Sequence, residues 1–166
     1  MSFRAQGDGT FTGPGISARC TLGPAGIIPA SEKRESDRAS PGGVYLLRRV
    51  LYRADREAAP ETALPVYPIA PDDGWCDAPA DPLYNLPVKL PYPASAEKLW
   101  RVDHLFDLVV VLGHNDDPVI PGFGSAIFWH LARNDGGPTQ GCVGVNRETM
   151  LRALKIAKLG DTLRIG

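Results

Sequence analysis

Cys142 and His130 are the pair best suited to nucleophilic chemistry. Cys142 sits in Pro138-Thr139-Gln140-Gly141-Cys142-Val143-Gly144, and His130 lies 12 positions earlier. The run between them, Asn134-Asp135-Gly136-Gly137-Pro138, is turn-forming, so the chain is expected to double back and set the imidazole against the thiol. A Cys beside a His gains thiolate character, and the thiolate is the nucleophile. Gly141 allows a sharp turn with exposed N–H groups, which would suit the oxyanion of a tetrahedral intermediate. On spacing alone the alternative is a buried Cys with a hydrogen-bonded core His, since free Cys is among the most buried residue types.

Other polar residues have two readings each. His114, in a loop with Asn115, Asp116 and Asp117, would line the same cleft if its strand neighbours that of His130; otherwise it belongs to a surface turn. Arg133 is either a carboxylate clamp or an exposed loop residue, and the second is favoured. Trp75 is either a wall for the substrate or a buried anchor, the commoner role. His114, Asp116, His130 and Cys142 offer N, O and S ligands for a zinc hydrolase, but no spaced His pair supports that alternative. Three cysteines, Cys20, Cys76 and Cys142, form no CxxC and leave at least one thiol free. Cys20 and Cys76 are expected to be structural, and His104 a turn residue.

Strands are expected to carry most of these groups. The chain has 166 residues with 18 Gly and 16 Pro, which argues against a helical bundle because both break helix interiors. Its length fits a single domain, 1–166. A net charge of −1 excludes electrostatically driven nucleic-acid binding. The longest apolar run, Leu108 to Leu112, is too short to span a bilayer. No secretory signal is visible at Met1–Asp8, so the expectation is a cytoplasmic protein or one whose signal precedes this sequence. No oligomeric state follows from the sequence.

Phe11–Gly13 and Ala18–Leu22 read as short strands. The charged run 31–43 reads as a solvated loop ending in the turn Ser40-Pro41-Gly42-Gly43. Val44–Arg53 reads as a long strand and Leu105–Leu112 as a central one, buried on both faces. Ser125–Ala132 is the next, with Ala126, Phe128, His130 and Ala132 on one face and Ile127, Trp129 and Leu131 on the other. Nine prolines fall in 60–93, so residues 54–96 are expected to form an ordered excursion packed on the core beside the site. One helix is expected, capped by Asn146, with a stripe of Met150, Leu154 and Ala157, Leu151 beside it, and a stop at Gly160. Thr162–Ile165 closes as a strand. The sum is a mainly β domain.

Gly124-Ser125-Ala126-Ile127-Phe128-Trp129-His130, followed by Thr139-Gln140-Gly141-Cys142-Val143, resembles the signature of the YkuD-type L,D-transpeptidase family. Residues 33–45 resemble its other marker, K-x-x-G-D-x-x-T-P-x-G-x-[FY], with Ser36 where that pattern has Gly. The chain departs from the usual pattern at Leu131 (for Gly), Gln140 (for His) and Gly144 (for Arg), as a divergent subgroup would.

The resemblance implies a β-sandwich or mixed-sheet catalytic domain and cysteine acyl transfer on peptidoglycan stem peptides, in cell-wall biogenesis and cell shape. Cys142 would attack the carbonyl of an L-residue joined to a D-residue and form a thioester. An amine acceptor, or water in an L,D-carboxypeptidase or endopeptidase, would resolve it. His130 would take the thiol proton, and the N–H groups of Gly141 and Cys142, with Gln140, would hold the oxyanion. Thr139, Gln140, His114, Arg133 and Trp75 are the substrate-binding candidates. The resemblance also implies that no metal or organic cofactor is needed, and a periplasmic or cell-envelope location. A cell-wall binding module without activity is the lesser alternative.

Overall fold

The computed structural model describes residues 1–166. Gly-containing turns near the N terminus join three short strands, β1 (Ser2–Ala5), β2 (Thr10–Gly13) and β3 (Ile16–Thr21). A short β4 (Ile27–Pro29) precedes β5 (Ser40–Tyr52), the longest strand. Ser40-Pro41-Gly42-Gly43, expected as a turn, is instead the start of β5. Ile27, Ile28 and Pro29 pair in parallel with Ser40, Pro41 and Gly42 there, and a proline is tolerated near a strand start.

Then come β6 (Val66–Pro68), β7 (Asp73–Cys76), β8 (Pro87–Lys89), β9 (Ala96–Lys98), β10 (Leu108–Leu112), β11 (Phe128–Leu131) and β12 (Val143–Val145). Helix α1 (Arg147–Ile156) and β13 (Thr162–Ile165) complete the chain.

The main sheet runs β10-β11-β12-β3-β2-β1-β13-β5 and closes on itself, because β5 also pairs with β10. Gly43–Leu46 of β5 face β13, and Leu47–Tyr52 face β10. Pairing is mixed, with parallel contacts at β1–β13 and β11–β12. The fold is the expected mainly β, mixed-sheet one with a single α-helix near the C terminus.

The closed sheet encloses a 23-residue apolar core that includes Phe3, Phe11, Trp129, Leu131 and Leu163. β10 is buried throughout: Leu108, Val110 and Leu112 face this core, while Val109 and Val111 join a second, nine-residue cluster on the opposite face. β11 divides as expected, Trp129 and Leu131 inward and Phe128 to the second cluster. The Asn146 side chain accepts the Thr149 N–H at 2.8 Å and caps α1. Met150, Leu154 and Ala157 are buried, but Leu151 is exposed and Ala153 takes its place in the stripe. The helix ends at Ile156, before the expected Gly160.

The Pro-rich excursion is ordered. It holds a second sheet, β8-β7-β9, that covers the outer face of β10 and β11. Trp75 meets Phe128 edge to face with centroids 5.0 Å apart, and Ile69 and Leu99 pack into the same cluster. Aromatic pairs of this kind add about 0.5–1.5 kcal/mol beyond area burial.

Candidate active site

β11 and β12 run parallel, with Trp129 opposite Val143 and His130 opposite Gly144. Cys142, just before β12, therefore lies beside Phe128, and His130 is two residues further along the same face. Both side chains reach one cavity of about 530 Å³. A parallel crossover, not a hairpin, brings them together.

The His130 Nδ1 lies 2.8 Å from the Leu131 carbonyl oxygen. A carbonyl can only accept, so Nδ1 carries the proton and Nε2 keeps its lone pair. The ring also packs edge-on against Phe106 at 5.3 Å. Burial holds this imidazole down to about 4, which leaves it neutral at physiological pH.

The Cys142 thiol donates to the Ala126 carbonyl at 3.2 Å and accepts the Phe128 N–H at 3.3 Å. No hydrogen bond joins it to His130. Burial pushes the thiol up to about 12, and the nearby Glu97 carboxylate adds to this. The expected thiolate character is thus absent in the resting site: desolvation outweighs proximity to the imidazole, and the two groups rest as neutral thiol and neutral base.

Thr139 organises the turn before Cys142. Its hydroxyl donates to the Cys142 carbonyl at 2.7 Å and accepts the Gly141 N–H at 3.2 Å. Its own N–H bonds to the Leu22 carbonyl at 3.1 Å, which ties the turn to the end of β3. Gly141, expected among the oxyanion donors, therefore has its N–H occupied. The amides of Gln140 and Cys142 make no bond within the chain. Gly141 adopts φ +125, and a Cβ there would lie 2.7 Å from the Ala39 carbonyl oxygen. Gly141→Ala is expected to lose about 1–3 kcal/mol, the cost of a strained backbone position, together with the site geometry; urea unfolding reads the first and the acyl-transfer rate the second.

The remaining candidates divide. Thr139, Gln140 and Arg133 line the cavity. Both nitrogens of the Arg133 fork are on Asp135, at 2.8 and 3.0 Å, so the guanidinium is already engaged. Trp75 lies behind the wall, packed on Phe128 and bonded through its indole N–H to Asn85 at 2.9 Å. His114 also lies off the wall: its Nε2 is 3.0 Å from the Phe123 carbonyl and its ring meets Tyr45, because the chain after β10 leads away from the cavity. His114, Asp116, His130 and Cys142 do not gather into a ligand set. All three cysteines are free thiols, Cys20 and Cys76 buried.

The charged run at 31–38 corrects another expectation. It is a loop with Ser31, Glu32, Arg34, Ser36 and Arg38 exposed, as expected, but it also forms one wall of the cavity, through Lys33, Glu35, Ser36 and Arg38. Lys33 is only 2% exposed; its ammonium pairs with Asp37 and donates to the Arg34 carbonyl. Asp37 also accepts the Ala39 N–H at 2.9 Å and the Arg34 N–H at 2.7 Å. Ser36 has φ 62, the left-handed conformation that favours glycine, which explains the Gly of the marker pattern. Glu35 accepts from Tyr84 of the excursion and from Ser125 before β11, so it clamps three segments together.

Asp77, Glu97 and Arg101 form the facing wall. Glu97 is 3.9 Å from Arg101, and burial lifts its carboxyl to about 7. Sequence reasoning missed these groups. The pairing of Lys33 with Asp37 at i, i+4 was a usable signal, whereas nothing local distinguishes Glu97 from any surface glutamate.

The family model for YkuD, the L,D-transpeptidase catalytic domain, matches residues 4–165. No curated protein sequence matches the chain. Among solved structures, an L,D-transpeptidase from Mycobacterium smegmatis is similar over 99% of this chain and 58% of its own, at 13% identity and a TM-score of 0.48. L,D-transpeptidase 1 of Mycobacterium tuberculosis is similar over 98% and 59%, at 13% identity and a TM-score of 0.43. The chain spans just under three-fifths of the length of either.

Proposed function

The chain belongs to the YkuD L,D-transpeptidase catalytic domain family, and on that premise we propose that residues 1–166 act as one catalytic domain that transfers acyl groups of peptidoglycan stem peptides through Cys142. The observation that carries this reading is a single cavity walled by Cys142 and His130, with the imidazole proton fixed on Nδ1 and its Nε2 unbonded.

The substrate is a tetrapeptide stem, and the bond cut is the amide between an L-centre and the terminal D-alanine. As Cys142 Sγ attacks the carbonyl carbon, the S–H proton passes to His130 Nε2. The carbonyl oxygen becomes an oxyanion, which the free amides of Gln140 and Cys142 are suited to receive. Collapse of this intermediate breaks the C–N bond; D-alanine leaves with the proton from His130, and a thioester remains on Cys142. An amine of a second stem then attacks the thioester, forms the cross-link and restores the thiol.

Neutral resting groups fit this order of events. A thiol with a pKa near 12 is not ionised in advance, so its proton moves as the C–S bond forms. The cavity wall is mostly polar, with five hydrophobic residues among 18, which suits a charged peptide stem better than an apolar ligand. A cell-envelope location accords with such a substrate.

Mass spectrometry of purified tetrapeptide stems after incubation tests the function. Cross-linked dimers with loss of D-alanine are expected. Tripeptides alone would assign hydrolysis, with water as acceptor, and unchanged tetrapeptides would overturn the proposal.

A further inference from the structure

Ala126 is the residue whose carbonyl holds the Cys142 thiol proton, and its backbone is in an unusual state. Its φ is 51, left-handed for a residue with a Cβ. That conformation costs about 1–2 kcal/mol and persists only where the surroundings impose it. The imposing contact comes from the Pro-rich excursion: Asn85 Oδ1 accepts the Ala126 N–H at 3.0 Å. Oδ1 also accepts the Trp75 indole N–H at 2.9 Å, while Nδ2 donates to the His114 and Asn115 carbonyls at 3.2 and 2.8 Å. The amide is thus bonded on both lone pairs and both protons and has no freedom to flip. Asn85 is buried and itself takes φ 58, which Asn tolerates better than most residues.

We propose that Asn85 is a positioning residue for the nucleophile: by fixing Ala126 in its left-handed conformation, it aims the carbonyl that keeps the Cys142 proton off His130. The inference rests on Cys142 being the acyl-transfer nucleophile. It makes the excursion more than a cover, because any ligand that displaces residue 85 loosens the grip on the thiol. The S–H bond breaks towards His130 Nε2 only after the thiol turns from Ala126. Other groups facing the sulfur are the Phe128 N–H and the charges of Glu97 and Lys33, none of which is hydrogen-bonded to Asn85.

Alkylation of Cys142 by iodoacetamide, resolved by peptide mapping between about pH 6 and pH 10, tests this without substrate, so failure of the peptidoglycan reading leaves the result intact. In Asn85→Ala, Ala126 is expected to relax and its carbonyl to swing away. The Cys142 profile then moves to lower pH and its rate near neutrality rises by about tenfold or more, one pKa unit being tenfold in thiolate. Cys20, buried on β3 with no bond to Asn85, stays as slow as in the parent protein, which separates this effect from general loosening. Adding Ala126→Gly, which takes positive φ without strain, returns the Cys142 profile towards the parent. An unshifted Cys142 profile in Asn85→Ala, acceleration of Cys20 along with Cys142, or no return in the double variant would each overturn the proposal.

Discussion

Cys142→Ser is expected to abolish D-alanine release from tetrapeptide stems while leaving the fold unchanged. The hydroxyl can still donate to the Ala126 carbonyl and accept the Phe128 N–H, the two bonds the thiol makes, so no buried backbone group is orphaned. An alcohol is a far poorer nucleophile than a thiol at the same site, and its proton is harder to remove. Loss of the nucleophile from a comparable unit costs on the order of 10⁶-fold. Release of D-alanine, followed by chromatography, should fall to the no-enzyme level while the thermal midpoint stays near that of the parent. Full activity in this variant would end the mechanism.

His130→Ala is expected to lower the rate by about 10²–10⁴-fold, the usual contribution of a positioned general base. The pH profile carries the sharper signature. Burial depresses the imidazole to about 4, so the base is free to accept a proton at any pH well above that. Protonation blocks it, and activity in the parent enzyme is expected to fall as pH drops through about 4, well below the ordinary histidine value. In His130→Ala that acid limb should vanish. Residual activity should instead climb about tenfold per pH unit, as hydroxide takes over removal of the thiol proton. An unchanged rate in His130→Ala would assign the base to another group, and an acid limb near pH 7 would point to Glu97, a carboxylate on the cavity wall.

The fold was legible wherever one local pattern dominated. Leu108–Leu112 has an unbroken apolar run because both of its faces are covered, one by the closed sheet and one by the excursion. The alternation across Phe128–Leu131 correctly divided Trp129 and Leu131 from Phe128 and His130. That Cys142 and His130 share one cavity was legible for the same reason, since a Gly-Cys turn and a strand-borne His are local features.

What escaped was set by distant contacts. Lys33 looks solvated in a run of charges, yet Asp37 and the Arg34 carbonyl satisfy it in burial. His114 looks like a cleft residue beside an Asn/Asp loop, yet the turn after β10 carries it to Tyr45 and Phe123. Asn85 carries no sequence signal at all, because its role depends on Trp75, His114, Asn115 and Ala126 converging on one side chain. The protonation of the Cys–His pair was also beyond sequence spacing: it is decided by how much water the folded excursion leaves around the two groups.

Cys142 is expected to become covalently acylated during turnover. Intact-mass spectrometry of the enzyme quenched in acid while turning over a tetrapeptide stem, followed by peptide mapping, tests it most directly. An adduct of the stem lacking D-alanine is expected on the peptide containing Cys142, and it should be absent from Cys142→Ser. D-alanine release with Cys142 unmodified under conditions that trap a thioester, or an adduct on another residue, would contradict it.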